Sequence, residues 1–117
     1  MPIDFYIKEG DSSPKLQVTC LDENENVIDL TAALSVDFYM LNPGDGTAKI
    51  DGASASILGD PTNGQLEYAW LLNGSDTDTP GDYDAEFEVS WSDGTKTTFP
   101  NFRFLEIRVG RSIDISD

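Results

Sequence analysis

Apolar and polar residues alternate strictly along one stretch of this chain. Tyr83, Ala85, Phe87, Val89 and Trp91 fall on one side, and Asp82, Asp84, Glu86, Glu88 and Ser90 on the other. A period of two is the side-chain repeat of a β-strand, and an apolar face backed by a carboxylate face describes a strand packed on a core from one side only. Pro80-Gly81 opens the run as a turn and Asp93-Gly94 closes it as a hairpin. A two-residue loop would pair Trp91 with Lys96 and Glu88 with Phe99. A three-residue loop, Ser92-Asp93-Gly94 with Gly94 left-handed in a bulge, pairs Phe87 with Phe99. The second keeps the apolar faces together and is the preferred register.

The same pattern recurs along the chain. Residues 3–8 read as a first strand. Leu16, Val18 and Cys20 face inward from a second, and Val27 to Leu30 reads as a brief edge segment. Residues 34–41 give a long strand with Leu34, Val36, Phe38 and Met40 as its buried face. Ile50 and Ile57 anchor one or two weaker strands over 47–58, and Leu66, Tyr68 and Trp70 alternate in the next. Arg103 to Val109 forms the last strand, with Leu105, Ile107 and Val109 inward. Clusters of Gly, Pro, Asp and Asn at 9–14, 42–46 and 59–64 are turns. No segment keeps a helical period; at most one helical turn sits over 73–79, where Ser75 and Asp76 would cap. Strands spaced about 8–12 residues apart between such turns predict an all-β, immunoglobulin-like antiparallel sandwich of about 7–9 strands. It spans 1–109, with 110–117 as a short C-terminal tail or arm. Asp78, Gly81, Tyr83 and Ala85 have the spacing of a tyrosine corner, with Ala85 where antibody domains carry their second cysteine. The tryptophan that antibody domains place on the third strand is missing.

Composition narrows the function. Seven basic residues against 22 acidic ones give a formal charge of −15 over 117 residues. Nucleic acid and anionic membrane surfaces are therefore not expected partners, since both require clustered Lys and Arg. The charge permits a basic protein partner, a cation-rich medium or high solubility alone, and a solvated acidic surface is the simplest reading. No apolar run approaches the roughly 20 residues that span a bilayer, and no basic segment followed by an apolar stretch marks a signal peptide at the N-terminus. There is no histidine, which removes a histidine base, a His-dependent triad and a zinc–histidine site. The single cysteine, Cys20, has no activating basic neighbour and reads as a core residue. No phosphate-binding glycine motif occurs, and the carboxylates alternate on exposed strand faces. The expectation is no enzyme, no catalytic residues, no cofactor and no metal. The loops Asp22 to Asn26 and Asp76 to Asp78 hold the oxygen ligands calcium would use, without the EF-hand pattern. Trp70, Trp91, Tyr68 and Tyr83 fit the buried alternation better than a sugar-stacking platform.

From Asp4 to Val109 the chain resembles the N-terminal domain of phage baseplate upper proteins. Asp4-Phe5-Tyr6-Ile7-Lys8-Glu9-Gly10-Asp11 looks like the family's opening strand and Gly-Asp turn. Val27-Ile28-Asp29-Leu30-Thr31-Ala32-Ala33 is similar to its next motif, with Ala32 in place of the usual glycine. Asn63 to Trp70, Pro80 to Val89 and Thr98-Phe99-Pro100-Asn101 complete the resemblance. It implies an immunoglobulin-like sandwich that attaches one virion component to another. Other phage structural proteins are the expected partners, and a second copy of the chain is an alternative one. Family members in baseplates carry a long C-terminal extension, whereas this chain ends eight residues after Val109. That favours a stand-alone accessory protein.

The expected function is thus a non-enzymatic structural protein of a tailed-phage virion on the tail, the baseplate or the particle surface, made in the host cytoplasm without a signal peptide. The alternatives are a capsid decoration (cement) protein and a carbohydrate-binding adsorption module. Aromatic residues out of phase with the core, Tyr6, Tyr39 and one of Phe102 or Phe104, mark a candidate interface on the first and last strands, which also takes in Phe5. Arg103 and Arg108 stand near them, ready to pair with acidic groups on a partner. Gly81, Tyr83 and Ala85 form the structural corner.

Overall fold

The strands β1 (Phe5–Lys8), β2 (Leu16–Thr19), β3 (Ala33–Leu41), β4 (Ala48–Ile57), β5 (Gln65–Tyr68), β6 (Gly81–Trp91), β7 (Lys96–Phe99) and β8 (Leu105–Gly110) account for the alternating segments. The computed structural model describes residues 3–101 and 103–113. Hydrogen bonding links the strands in the order β1-β8-β6-β3-β4-β5-β2, with β7 also on β6. β4 pairs with β3 along most of its length and with β5 only through Ser56 and Ile57. It thereby passes from one layer to the other. The front layer is β1, β8, β7, β6, β3 and the start of β4; the back layer is the end of β4 with β5 and β2. This is the immunoglobulin-like sandwich, with one departure from an all-antiparallel arrangement. β1 and β8 run parallel, Phe5 opposite Ile107 and Ile7 opposite Val109. They lie at opposite ends of the chain, so everything between them serves as the crossover a parallel pair requires.

β6 is the axis of the front layer. β3 covers one edge, from Ala33 opposite Trp91 to Leu41 opposite Asp84. β7 and β8 share the other edge, β7 beside Phe87–Ser90 and β8 beside Gly81–Ala85. Phe87 pairs with Phe99, and Gly94 has φ +89° after Ser92-Asp93. The three-residue loop is therefore the one that forms, because it keeps both strands' apolar residues on one face. The last strand starts at Leu105 rather than Arg103.

The alternation fails at the start of β3. Leu34 is 72% exposed, although the pattern assigns it to the buried face. Ala33 opposes Trp91 and Ser35 opposes Ser90, so Leu34 is an extra residue in a bulge and its side chain is turned outward. Val36, Phe38 and Met40 keep the inward phase. Trp91, at the far end of β6, is only half-buried and donates from Nε1 to Thr97 Oγ1 at 2.9 Å.

Phe38 joins the two layers. Its ring stacks on Tyr68 at 4.5 Å, meets Phe87 at 4.9 Å and takes the edge of Trp70 at 5.9 Å. Phe38 stands on the third strand, where antibody domains place their tryptophan, and Trp70 meets it from two residues past the end of β5, its Nε1 donating to Pro14 O at 3.0 Å. Such offset and edge-on pairs add to the burial of large apolar surfaces.

The short turn over Ser75–Thr77 is a 3₁₀ turn, but neither Ser75 nor Asp76 caps it. Gly74 stands at the cap position, and Asn73 Oδ1 accepts from Ser75 N at 3.0 Å. Asp76 turns inward, 7% exposed, where its Oδ2 accepts from Tyr68 Oη at 2.7 Å and Leu71 N at 2.9 Å. These bonds tie the turn to β5.

Gly64 sits beneath the Val27–Ile28 segment with φ +67°. A Cβ there would lie 2.6 Å from Ile28 O and 2.6 Å from Val27 Cγ1. Left-handed backbone and a clash with main chain act together, so Gly64→Ala is expected to lower stability by about 2–3 kcal/mol in urea unfolding. Gly94→Ala meets no atom within 4 Å and carries only the backbone cost, so it should lose about 1 kcal/mol.

Candidate protein-contact face

The outer face of the front layer is built from the polar half of each alternating strand. Cross-strand pairing sets Tyr39 opposite Glu86 and Leu41 opposite Asp84. From β4, Asp51 stands opposite Tyr39 and Ala48 opposite Leu41. Gly52, at φ +83°, is the unopposed residue of a bulge between Ala53 and Asp51. A Cβ on it would touch the Tyr39 hydroxyl at 3.3 Å, so the missing side chain leaves room for the tyrosine ring. Phe104 enters from the segment just before β8 and is 48% exposed. Tyr39, Leu41, Ala48 and Phe104 line a shallow groove of about 150 Å³, with Asp51, Asp84 and Glu86 along it.

The face is strongly acidic. Asp37 stands directly opposite Glu88, and Asp84 directly opposite Glu106. Like charges in register destabilise a sheet. Lys96 reaches Glu88 at 3.7 Å on one side, and Arg108 pairs with Asp82 at 2.7 Å on another. No Lys or Arg among the described residues forms an ion pair with Asp37, Asp51, Asp84 or Glu86. The charges of Glu88, Asp37, Asp51 and Glu86, together with some burial, push the Tyr39 phenol above its ordinary range, Glu88 acting most. Glu106 Oε2 is shielded from solvent and has no hydrogen-bond partner among the described residues.

The aromatic and basic residues singled out in the sequence divide between this face and other tasks. Tyr39, Phe104 and Tyr6 are on the outer face. Tyr6 is 62% exposed and lies beside Arg108 across the β1–β8 pair. Phe5 has the opposite phase. It stands opposite the buried Ile107 and packs on Trp70 at 5.8 Å, so its ring serves the core rather than the surface. Phe102 lies outside the described residues. Both arginines are engaged within the chain. Arg108 makes two bonds to Asp82, at 2.7 and 3.0 Å. Arg103 makes two to Asp4, at 2.9 and 3.2 Å, and holds that carboxyl below its usual range. Asp4 also accepts from Glu106 N and donates from its own backbone to Glu106 O. Asp4 therefore fastens the residues just before β1 to β8, and Arg103 holds its carboxylate in place. Leu41 and Ala48 were absent from the sequence-based set. Leu41 is two residues from Tyr39 and shares its face, which is the signal that finds it; Ala48 joins only through the irregular pairing of β4.

The corner residues occupy the turn into β6. Tyr83 Oη donates to Thr79 O at 2.6 Å, Gly81 begins the strand, and Ala85 is buried under the sheet. Lys49 pairs with Asp78 beside them.

The candidate chemical groups are placed as follows. Cys20 is buried in the core, and burial pushes its thiol up to about 12. Asp22 Oδ1 accepts from Asn24 N and Asn26 N within its own loop. Among the described residues no three His, Cys, Asp or Glu side chains gather as a metal site. Trp70, Tyr68 and Tyr83 are buried and offer no platform to a sugar ring.

No curated protein matches the chain. The family model described as the BppU N-terminal domain matches residues 2–110, which takes in all eight strands. The chain belongs to the BppU N-terminal domain family, the N-terminal module of phage baseplate upper proteins.

Proposed function

We propose that the protein is a non-enzymatic attachment module of a tailed-phage virion, holding other structural proteins of the particle through its outer sheet face. The observation that carries this reading is the pairing of a baseplate family match over residues 2–110 with an exposed aromatic and aliphatic groove on an otherwise acidic sheet. A solvated outer face has no need of Tyr39, Leu41 and Phe104 together, whereas a contact surface is enriched in such anchors. The candidate nucleophile is buried with a raised pKa, and the carboxylates lie on an open sheet rather than in a cleft that would raise one of them for acid catalysis.

Labelling purified particles with an antibody against the chain, followed by electron microscopy, tests the placement. Label concentrated at the tail tip is the expected result. Label scattered over the head would replace the baseplate role with capsid decoration. Intact and disrupted particles that both lack label would overturn a virion role altogether.

A further inference from the structure

We infer that the groove between Tyr39, Leu41 and Phe104 receives a segment of another virion protein in which an apolar side chain is flanked by Lys or Arg. The inference rests on the attachment reading above and specifies the partner's chemistry. The groove has an apolar floor suited to one aliphatic or aromatic side chain, and its lining includes three carboxylates, Asp51, Asp84 and Glu86, with no intrachain ion pair among the described residues. Beyond them, Asp84 faces Glu106 and Asp37 faces Glu88 across adjacent strands. Each pair is electrostatically unfavourable in the isolated protein. A cation on the partner relieves that repulsion on docking and is steered to the face by its potential. Carboxylates among these, Glu88 foremost, push the Tyr39 phenol above its ordinary range.

A second copy of this chain is the poorer occupant. It carries the same net charge of −15, so seating any of its acidic faces here brings like charges together. The intrachain pairs of Arg103 with Asp4 and Arg108 with Asp82 leave those guanidiniums engaged. A basic partner meets both demands of the groove, apolar filling and charge neutralisation.

The test rebinds purified protein to particles assembled without it. Wild-type protein should bind, and more weakly as salt is raised. Leu41→Ser with Phe104→Ser should cut occupancy at limiting protein by about tenfold or more, the loss of a buried anchor. Asp84→Lys with Glu86→Lys should do the same. The first of these two changes puts an ammonium opposite Glu106, so it removes a like-charge pair and provides a readout that does not hinge on a weakened fold. Glu67→Lys on the back layer should bind as wild type does. A photo-crosslinker at position 104 should capture a peptide containing Lys or Arg from another virion protein. Groove variants that bind normally while wild type binds would overturn this inference and leave the attachment reading standing. A crosslink to a second copy, or to an acidic peptide, would also overturn it. Failure of wild-type protein to bind particles would overturn both.

Discussion

Phe38→Ala is expected to destabilise the sandwich by about 4 kcal/mol, the middle of the range for a buried phenylalanine. Phe38 is fully buried and touches three aromatic rings: Phe87 on β6, Tyr68 on β5 of the opposite layer, and Trp70 two residues past the end of β5. Alanine leaves a void that those rings cannot fill without leaving their own hydrogen bonds, Tyr68 to Asp76 and Trp70 to Pro14. A domain of this size has a total stability of about 5–15 kcal/mol, so the loss removes a large share of it. Urea unfolding should show a lower midpoint with an unchanged slope. Phe38→Leu, which keeps most of the volume, should lose markedly less. An alanine variant within about 1 kcal/mol of wild type would mean that the layers are not joined at this ring.

Asp76→Ala should cost about 3 kcal/mol, although the residue lies in what reads as a polar loop. One oxygen of its carboxylate accepts from both Tyr68 Oη and Leu71 N. Removing it leaves two donors without their acceptor, one of them on a nearly fully buried ring. The adjacent Thr77 ties the same turn to the first loop, since Thr77 Oγ1 donates to Asp11 O at 2.8 Å and Gly10 N donates to Thr77 O at 3.0 Å. Tyr68→Phe removes only one of the two bonds and should cost about 1 kcal/mol. In the double variant Asp76→Ala/Tyr68→Phe the losses should fall short of their sum, because the phenylalanine no longer carries an unsatisfied hydroxyl. Strictly additive losses would contradict a shared hydrogen bond.

The strongest alternation carried the most structure. Over Gly81–Trp91 the faces alone fix the strand, and the demand that Phe87 and Phe99 meet on the same side fixes the hairpin register. Leu34 was not legible, because a bulge is a local exception to the period and only cross-strand pairing reveals it. β1 has only four residues, too few for its phase to be certain. Its parallel pairing with β8 turns Phe5 inward and Tyr6 outward. The role of Asp76 was hidden because a carboxylate among Ser, Thr and Asp reads as a turn residue; its burial follows from Tyr68, eight positions away. On the contact face, Tyr39 and Phe104 stood out as aromatics against the core phase. The acidic pairs Asp37–Glu88 and Asp84–Glu106 became visible only once the strands were aligned. The roles of Arg103 and Arg108 likewise depended on the fold, which brings Asp4 and Asp82 to them.

The attachment account is tested most directly by reconstructing the intact virion by electron cryomicroscopy at a resolution that shows strands. The expected result is this sandwich in the baseplate with the outer face of β3, β6 and β8 covered by a different virion protein at Tyr39, Leu41 and Phe104. A sandwich at the baseplate with that face open to solvent would contradict the proposed contact. Absence of the sandwich from the particle would contradict the attachment function itself.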